Sequence, residues 1–318
     1  MGVDIQESKY PEFSAPSVFI LGDLREASTV ERALEEAINL GGGQVNQVFQ
    51  LAADMGGAGY VFSGDHDADI MHNSSLVNLN VLHSLAQQFA RIENGPTIFF
   101  SSSACVYPER NQMDPKNPIC YEDSAYPAEP DSEYGWEKLY SERLYRSYAR
   151  QYGLEVRIAR FHNIYGPYGT WDGGKEKAPA ALTRKVLQAK ATKQPVEIWG
   201  DGEQTRTFLF IDDCIHAIEL IMDSELGQPL NVGSEELVSI NELVTILEGI
   251  NSTSVEREYK LDAPTGVRGR ISSNEIIREA LGWEPKVPLR LGLELLSDWI
   301  NSQHVHIKLR DKNQPREG

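Results

Sequence analysis

The chain has 318 residues, 41% of them hydrophobic, which is enough for one large or two modest domains with a substantial core. Its formal charge of −17 disfavours a broad nucleic-acid or anionic-membrane surface but leaves room for a small basic pocket. No apolar run reaches bilayer length, and the opening MGVDIQESKYPEF fits neither a secretory leader nor a myristoylation signal.

In chain order, predicted strands at 18–21, 47–52, 97–101 and 154–160 alternate with predicted helices at 27–40, 69–92 and 131–152. Such alternation implies an α/β fold, a Rossmann-like doubly wound parallel sheet covered on both faces. Tyr134, Leu139, Leu144, Tyr145 and Tyr148 form a mostly apolar stripe on the third helix, and Asp131 or Ser132 can cap its start. Beyond 160 the texture changes. A loop rich in Gly and aromatics at 166–174 leads to a helix at 178–191, strands at 196–199 and 206–211, and a helix from Asp212 or Asp213. A strand at 229–232 and helices at 239–249, 273–281 and 290–302 follow. The expected division is a cofactor-binding domain of 17–165 plus 205–232 and a smaller α/β substrate-binding lobe of 166–204 plus 233–302. A mobile polar tail is expected over 303–318. His304 and His306 in that tail have no partner ligand in view. Cys105, Cys120 and Cys214 form no close pair, so no metal site is expected and a reducing, cytoplasmic compartment is the default.

Tyr134-x-x-x-Lys138 is the most informative motif. Four residues apart on a helix, the two side chains share one face. A cation beside a phenol favours the phenolate and lowers its pKa from near 10. A serine hydroxyl from the upstream run Ser101-Ser102-Ser103-Ala104-Cys105 can join them. The trio suits removal of an alcohol proton while a hydride leaves its carbon. Alone, the pair is a weak signal that is usually just two solvated residues, and a lone cysteine is usually inert and buried. Cys120 and Cys214 keep that structural reading.

The chain resembles the extended short-chain dehydrogenase/reductase family that acts on nucleotide sugars, most closely its GDP-mannose 3,5-epimerase branch. The resemblance rests on LAADMGGAG (51–59), SSSACVYPE (101–109), YPAEPDSEYGWEK (126–138), RFHNIYGPYGTWDGGKEKAPAA (160–181), EIWGDGEQTRTFLFIDDC (197–214), NVGSEELVSINE (231–242) and GVRGR (266–270). It implies NAD as cofactor, GDP-mannose as substrate and a homodimer. It also implies a reaction through a 4-keto sugar that inverts carbons 3 and 5 to give GDP-L-galactose. In the implied site, Tyr134, Lys138 and Ser103 serve the redox step, and Cys105 and Lys177 are the acid and base. Asp23, Leu24, Leu51, Ala52, Ala53, Tyr134 and Lys138 hold the cofactor. Gly56, Gly57, Ser103, Asn163, Lys177, Lys185, Gln204, Arg206 and Arg268 hold the substrate. A transient ketone is needed because a sugar C–H becomes acidic only beside a carbonyl.

The front of the chain departs from the family. The strand near 17–21 resembles the family's third, so the first strand, its glycine turn, the first helix, the second strand and an acidic residue for the adenosine ribose are expected to be missing. Gly41-Gly42-Gly43 precedes a strand, and Gly57-Ala58-Gly59 has Phe62 where a small residue is required, so neither replaces the turn. Two alternatives stay open: another nucleotide-sugar 4-epimerase or dehydratase, and a catalytically impaired truncated paralogue acting as a binding protein.

Overall fold

The computed structural model describes residues 1–7, 10 and 16–313, with side chains as far as residue 303. Its first half comprises β1 (Gly2–Asp4), β2 (Phe19–Leu21), α1 (Ala27–Leu40), β3 (Gln47–Gln50), the single turn α2 (Ala58–Val61), α3 (Asp67–Phe89), β4 (Thr97–Ser103), α4 (Glu133–Tyr152) and β5 (Glu155–Phe161). The second half comprises β6 (Ile164–Tyr165), α5 (Ala178–Thr192), β7 (Val196–Trp199), β8 (Thr205–Arg206), β9 (Leu209–Phe210), α6 (Ile211–Asp223) and β10 (Pro229–Val232). It ends with β11 (Val238–Ser239), α7 (Ile240–Ile250), β12 (Arg257–Lys260), β13 (Gly269–Arg270), α8 (Glu275–Leu281) and α9 (Leu289–Asn313).

The main sheet has the order β10-β5-β4-β3 and is parallel throughout. Ile98, Phe99 and Phe100 on β4 are each fully buried although neighbours point to opposite faces. Ile98 and Phe100 pack with Leu82 and Leu85 of α3 and Tyr145 of α4. Phe99 packs with Cys214, Ala217 and Ile221 of α6. Both faces are therefore covered, as parallel sheets require. In α4 the Ser132 side chain accepts from the Gly135 amide at 3.3 Å, and Gly153, at φ 71°, closes the helix. A third core lies in the second half, where Val186 of α5, Leu243, Val244 and Leu247 of α7, and Leu293, Leu296 and Ile300 of α9 are all fully buried. Each such side chain contributes about 1.5–3 kcal/mol by leaving water.

Two expectations are corrected, and one helix runs further than expected. A strand does precede 17–21: β1 pairs with β2 in parallel, Gly2 opposite Phe19 and Asp4 opposite Leu21, and it ends in an acidic residue. The predicted strand 206–211 is two short strands. Thr207 N donates to Arg270 O but Leu209 N donates to Asn163 O, so the chain changes partner between them. The segment from 303 continues as helix to Asn313, with no Gly or Pro before Pro315 to stop it. The side chains of His304 and His306, and residues 314–318, lie outside the described residues.

Candidate active site

β4 delivers the serine run to the C-terminal edge of the sheet, the side on which ligands bind in open α/β folds. The chain then turns through one short helical turn, Ala104–Val106, and the Ser103 hydroxyl accepts from the Cys105 amide at 3.2 Å. α4 lies close over this turn because position 135 is glycine; a Cβ there would run into the Cys105 carbonyl. Tyr134 thereby comes beside Ser103, whose hydroxyl favours its ionised form.

Lys138 lies one turn further on and is almost completely buried. Its ammonium donates to the Ser101 carbonyl at 3.0 Å and lies 4.9 Å from the Phe100 ring centroid and 5.7 Å from that of Tyr134. The expected lowering of the Tyr134 pKa is not what this arrangement produces. Loss of solvent, and next the neighbouring Cys105, push the phenol well above its ordinary value, against the pull of the Ser103 hydroxyl. Loss of solvent likewise draws Lys138 downward, opposed by Glu137 and Glu142.

Tyr134, Ser103 and Cys105 open into a cavity of about 400 Å³. Lys177 enters it from the N-terminus of α5, and desolvation lowers its pKa. The strap carrying Lys177 is pinned to the turn after β3: Gly57 N donates to the Lys175 carbonyl at 3.0 Å, and a Cβ at Gly57 would collide with the Glu176 carbonyl. Arg206 on β8 and Arg270 on β13 stand side by side in register. Burial, with Arg270 adding repulsion, lowers the Arg206 pKa to about 9. Its guanidinium donates to the carbonyls of Thr205, Thr265 and Val267 at 2.7–3.0 Å. Asn163, at φ 48°, donates to the Thr207 carbonyl at 2.9 Å. Gln204 donates to the Trp199 carbonyl at 2.8 Å, and its buried Oε1 has no described partner.

The cavity wall thus brings together Gly56, Gly57, Ser103, Cys105, Tyr134, Asn163, Lys177, Lys185, Gln204 and Arg206, with Lys138 behind it. Arg268 is not among them; it is half-buried and pairs with Asp201 at 3.0 Å. The cavity takes Arg270 instead, which donates to Cys105 Sγ at 3.2 Å, Gln112 Oε1 at 2.6 Å and Asp131 Oδ2 at 2.6 Å. Sequence reasoning passed over Arg270. Nothing in GVRGR separates it from Arg268, and only strand pairing does so. Asp23, Leu24, Leu51, Ala52 and Ala53 lie outside the cavity, just past the ends of β2 and β3. Gln50 clips Ala52 through both main-chain groups at 2.9 and 3.0 Å. Asp4 ends β1, a strand of three residues that is too short to leave a sequence signal. Cys120 and Cys214 are buried in apolar surroundings that raise their thiols to about 11 and about 12.

Comparison with known proteins agrees with this geometry. The chain is 43% identical over 272 residues to GDP-mannose 3,5-epimerase of Arabidopsis thaliana, a match covering 86% of this chain and 69% of that protein. It is also 43% identical over 272 residues to GDP-mannose 3,5-epimerase 1 of Oryza sativa subsp. japonica, covering 86% and 68%. The structure of a UDP-glucose 4-epimerase with UDP-glucose from Thermotoga maritima superposes with a TM-score of 0.78 at 26% identity, covering 95% of this chain and 90% of that one. Residues 3–233 match the NAD dependent epimerase/dehydratase family, to which the chain therefore belongs.

Proposed function

We propose that the chain is an NAD-dependent nucleotide-sugar epimerase that acts on GDP-mannose and inverts carbons 3 and 5 through a 4-keto sugar to give GDP-L-galactose. One observation carries this reading: a thiol, Cys105, and an amine, Lys177, share one cavity with the Ser103–Tyr134 pair. Oxidation at carbon 4 makes the flanking C–H bonds acidic, and inversion then needs an acid and a base on opposite faces of the ring.

NAD, when bound, would supply the hydride acceptor and donor for carbon 4. Tyr134 takes the hydroxyl proton as the phenolate, a form that Lys138 favours by supplying positive charge beneath, with Ser103 orienting the hydroxyl. Cys105 and Lys177 move the protons at carbons 3 and 5. Arg206 faces the diphosphate, where a guanidinium fork suits phosphate oxygens. The cofactor residues fit the group. Asp4, Asp23, Leu24 and 51–53 all lie at or just past the C-terminal ends of β1, β2 and β3, on the ligand side of a parallel sheet. The segments 17–165 plus 205–232 and 166–204 plus 233–302 act as cofactor and substrate units.

A homodimer suits the same reading, because Trp136 and Tyr140 stand one turn apart on α4 and are both exposed. Three free thiols suit a cytoplasmic setting. No described helix is long and apolar enough to cross a membrane.

The test is incubation with NAD and GDP-mannose in deuterium oxide. Deuterium at carbons 3 and 5 of the recovered sugars is expected. Turnover of a nucleotide sugar with neither carbon labelled would remove the acid–base roles of Cys105 and Lys177.

A further inference from the structure

α5 and β7 together build one wall of the cavity. On α5, Lys177, Ala181 and Lys185 recur every four residues and share one face, so Lys185 lies about 12 Å along the axis from Lys177. That is the scale of the diphosphate and ribose separating a hexose from its base. On β7 the burial alternates: Val196 and Ile198 enter the third core, while Glu197 and Trp199 turn to the cavity. Phe62, from the turn after β3, adds a second ring to this end.

The polar groups here are fixed in a definite order. Lys185 Nζ donates to the Glu197 carbonyl at 3.0 Å and to its Oε1 at 3.3 Å. Trp199 Nε1 donates to the same oxygen at 2.8 Å. These bonds immobilise the carboxylate from one side, and no described group donates to Oε2. The Trp199 hydrogen bond, with Lys185, keeps the carboxyl below its ordinary pKa and hence ionised at neutral pH. The Lys185 charge is also spent on this carboxylate, which makes it a poor phosphate anchor beside Arg206.

We propose that Glu197 and Lys185 read the Watson–Crick edge of a guanine base, so that this pair sets the nucleotide specificity of the cavity. The inference rests on the nucleotide-sugar reading above and names the residues that choose the base. Guanine presents an acceptor, O6, followed by two donors, N1–H and the exocyclic amine. An ammonium beside a carboxylate is its complement. Uracil presents acceptor, donor, acceptor, and its second carbonyl would face the carboxylate. Adenine presents a donor where the ammonium needs an acceptor. Trp199 and Phe62 supply aromatic surface for the base plane.

Titration calorimetry on the full chain tests this with GDP, inosine diphosphate, N1-methyl-GDP and UDP. The unmodified protein is expected to bind inosine diphosphate, which lacks the exocyclic amine, and N1-methyl-GDP, which lacks N1–H, at least about tenfold more weakly than GDP. Glu197→Ala, with its fold checked by thermal melting, is expected to bring GDP and inosine diphosphate to within about threefold of each other by weakening GDP alone. Equal binding of the three purine nucleotides to the unmodified protein overturns the proposal, as does a folded Glu197→Ala protein that keeps the GDP preference. Tighter binding of UDP than of GDP overturns the GDP-mannose assignment itself. A preference for GDP over UDP with no discrimination among the purine analogues leaves that assignment standing and removes only the base-reading pair.

Discussion

A guanidinium nitrogen of Arg270 lies 3.2 Å from the sulfur of Cys105. The same side chain is held at 2.6 Å by Gln112 and at 2.6 Å by Asp131, so its direction is fixed from behind. Arg270 therefore aims a permanent positive charge at the thiol to which the proposed chemistry assigns a proton.

This predicts that Arg270→Lys impairs proton movement more than redox. An ammonium cannot meet three partners lying in three directions as a planar fork does. Deuterium incorporation into the sugar is expected to fall about 100-fold while transient formation of NADH persists. Arg270→Met should also strand the buried Asp131 carboxylate, costing about 3–5 kcal/mol of stability in urea unfolding. Full exchange in a folded Arg270→Lys protein would contradict the assignment.

Cys105→Ser separates the two halves of the reaction. A hydroxyl fills nearly the same space, so the turn at Ala104–Val106 and the Ser103 contact should survive. Exchange of the sugar C–H that Cys105 serves should drop about 10²–10⁴-fold, with NAD reduction still visible at 340 nm under single-turnover conditions as a spectroscopic control. Retained exchange at both carbons would show that the thiol is a bystander.

How much of this was legible beforehand follows from what each signal encodes. The alternation of short apolar runs and amphipathic helices recorded the parallel sheet, because burial on both faces leaves its mark directly on the sequence. The serine run, the Tyr134–Lys138 pair and the strap before α5 were visible because each is a contiguous motif. Arg270 was not, since its role comes from the pairing of Gly269 with Thr205 across the chain. The Tyr134 pKa was misjudged for a similar reason. Spacing reveals a neighbouring cation but not the loss of solvent that outweighs it. The partner switch between Arg206 and Leu209 is also a tertiary event, which a continuous apolar stretch cannot reveal.

The strap carrying Lys177 has a latch. Lys175 Nζ lies 3.8 Å from the Tyr60 ring centroid and 3.8 Å from Asp54 Oδ1, and the Tyr60 hydroxyl donates to the same Asp54 oxygen at 2.8 Å. A partly exposed cation–π contact is worth about 0.5–1 kcal/mol, or roughly two- to fivefold in an equilibrium. Lys175→Ala is therefore expected to raise KM about two- to fivefold by loosening the strap, with less effect on kcat. Tyr60→Phe keeps the ring and should lie between that variant and the unmodified protein. Steady-state kinetics decide the point: an unchanged KM for Lys175→Ala removes the latch.

His162 predicts how stability depends on pH. It is fully buried, its Nε2 lies 3.0 Å from Asn231 Oδ1, and its Nδ1 has no described partner. Burial, reinforced by the positive charges of Arg270 and Arg160, lowers its pKa to about 3. The unfolded chain binds that proton near pH 6.5 and the folded one does not. The contribution is thus complete above pH 6.5 and is lost as pH falls towards 3, at a slope of about 1.4 kcal/mol per pH unit. Moving from pH 7.5 to pH 5 should therefore cost about 2 kcal/mol through this group alone, read from urea midpoints at the two pH values. His162→Gln retains an N–H donor for Asn231 but cannot titrate, so its stability should change less over the same interval. Equal losses in the two proteins would mean that another group sets the acid sensitivity.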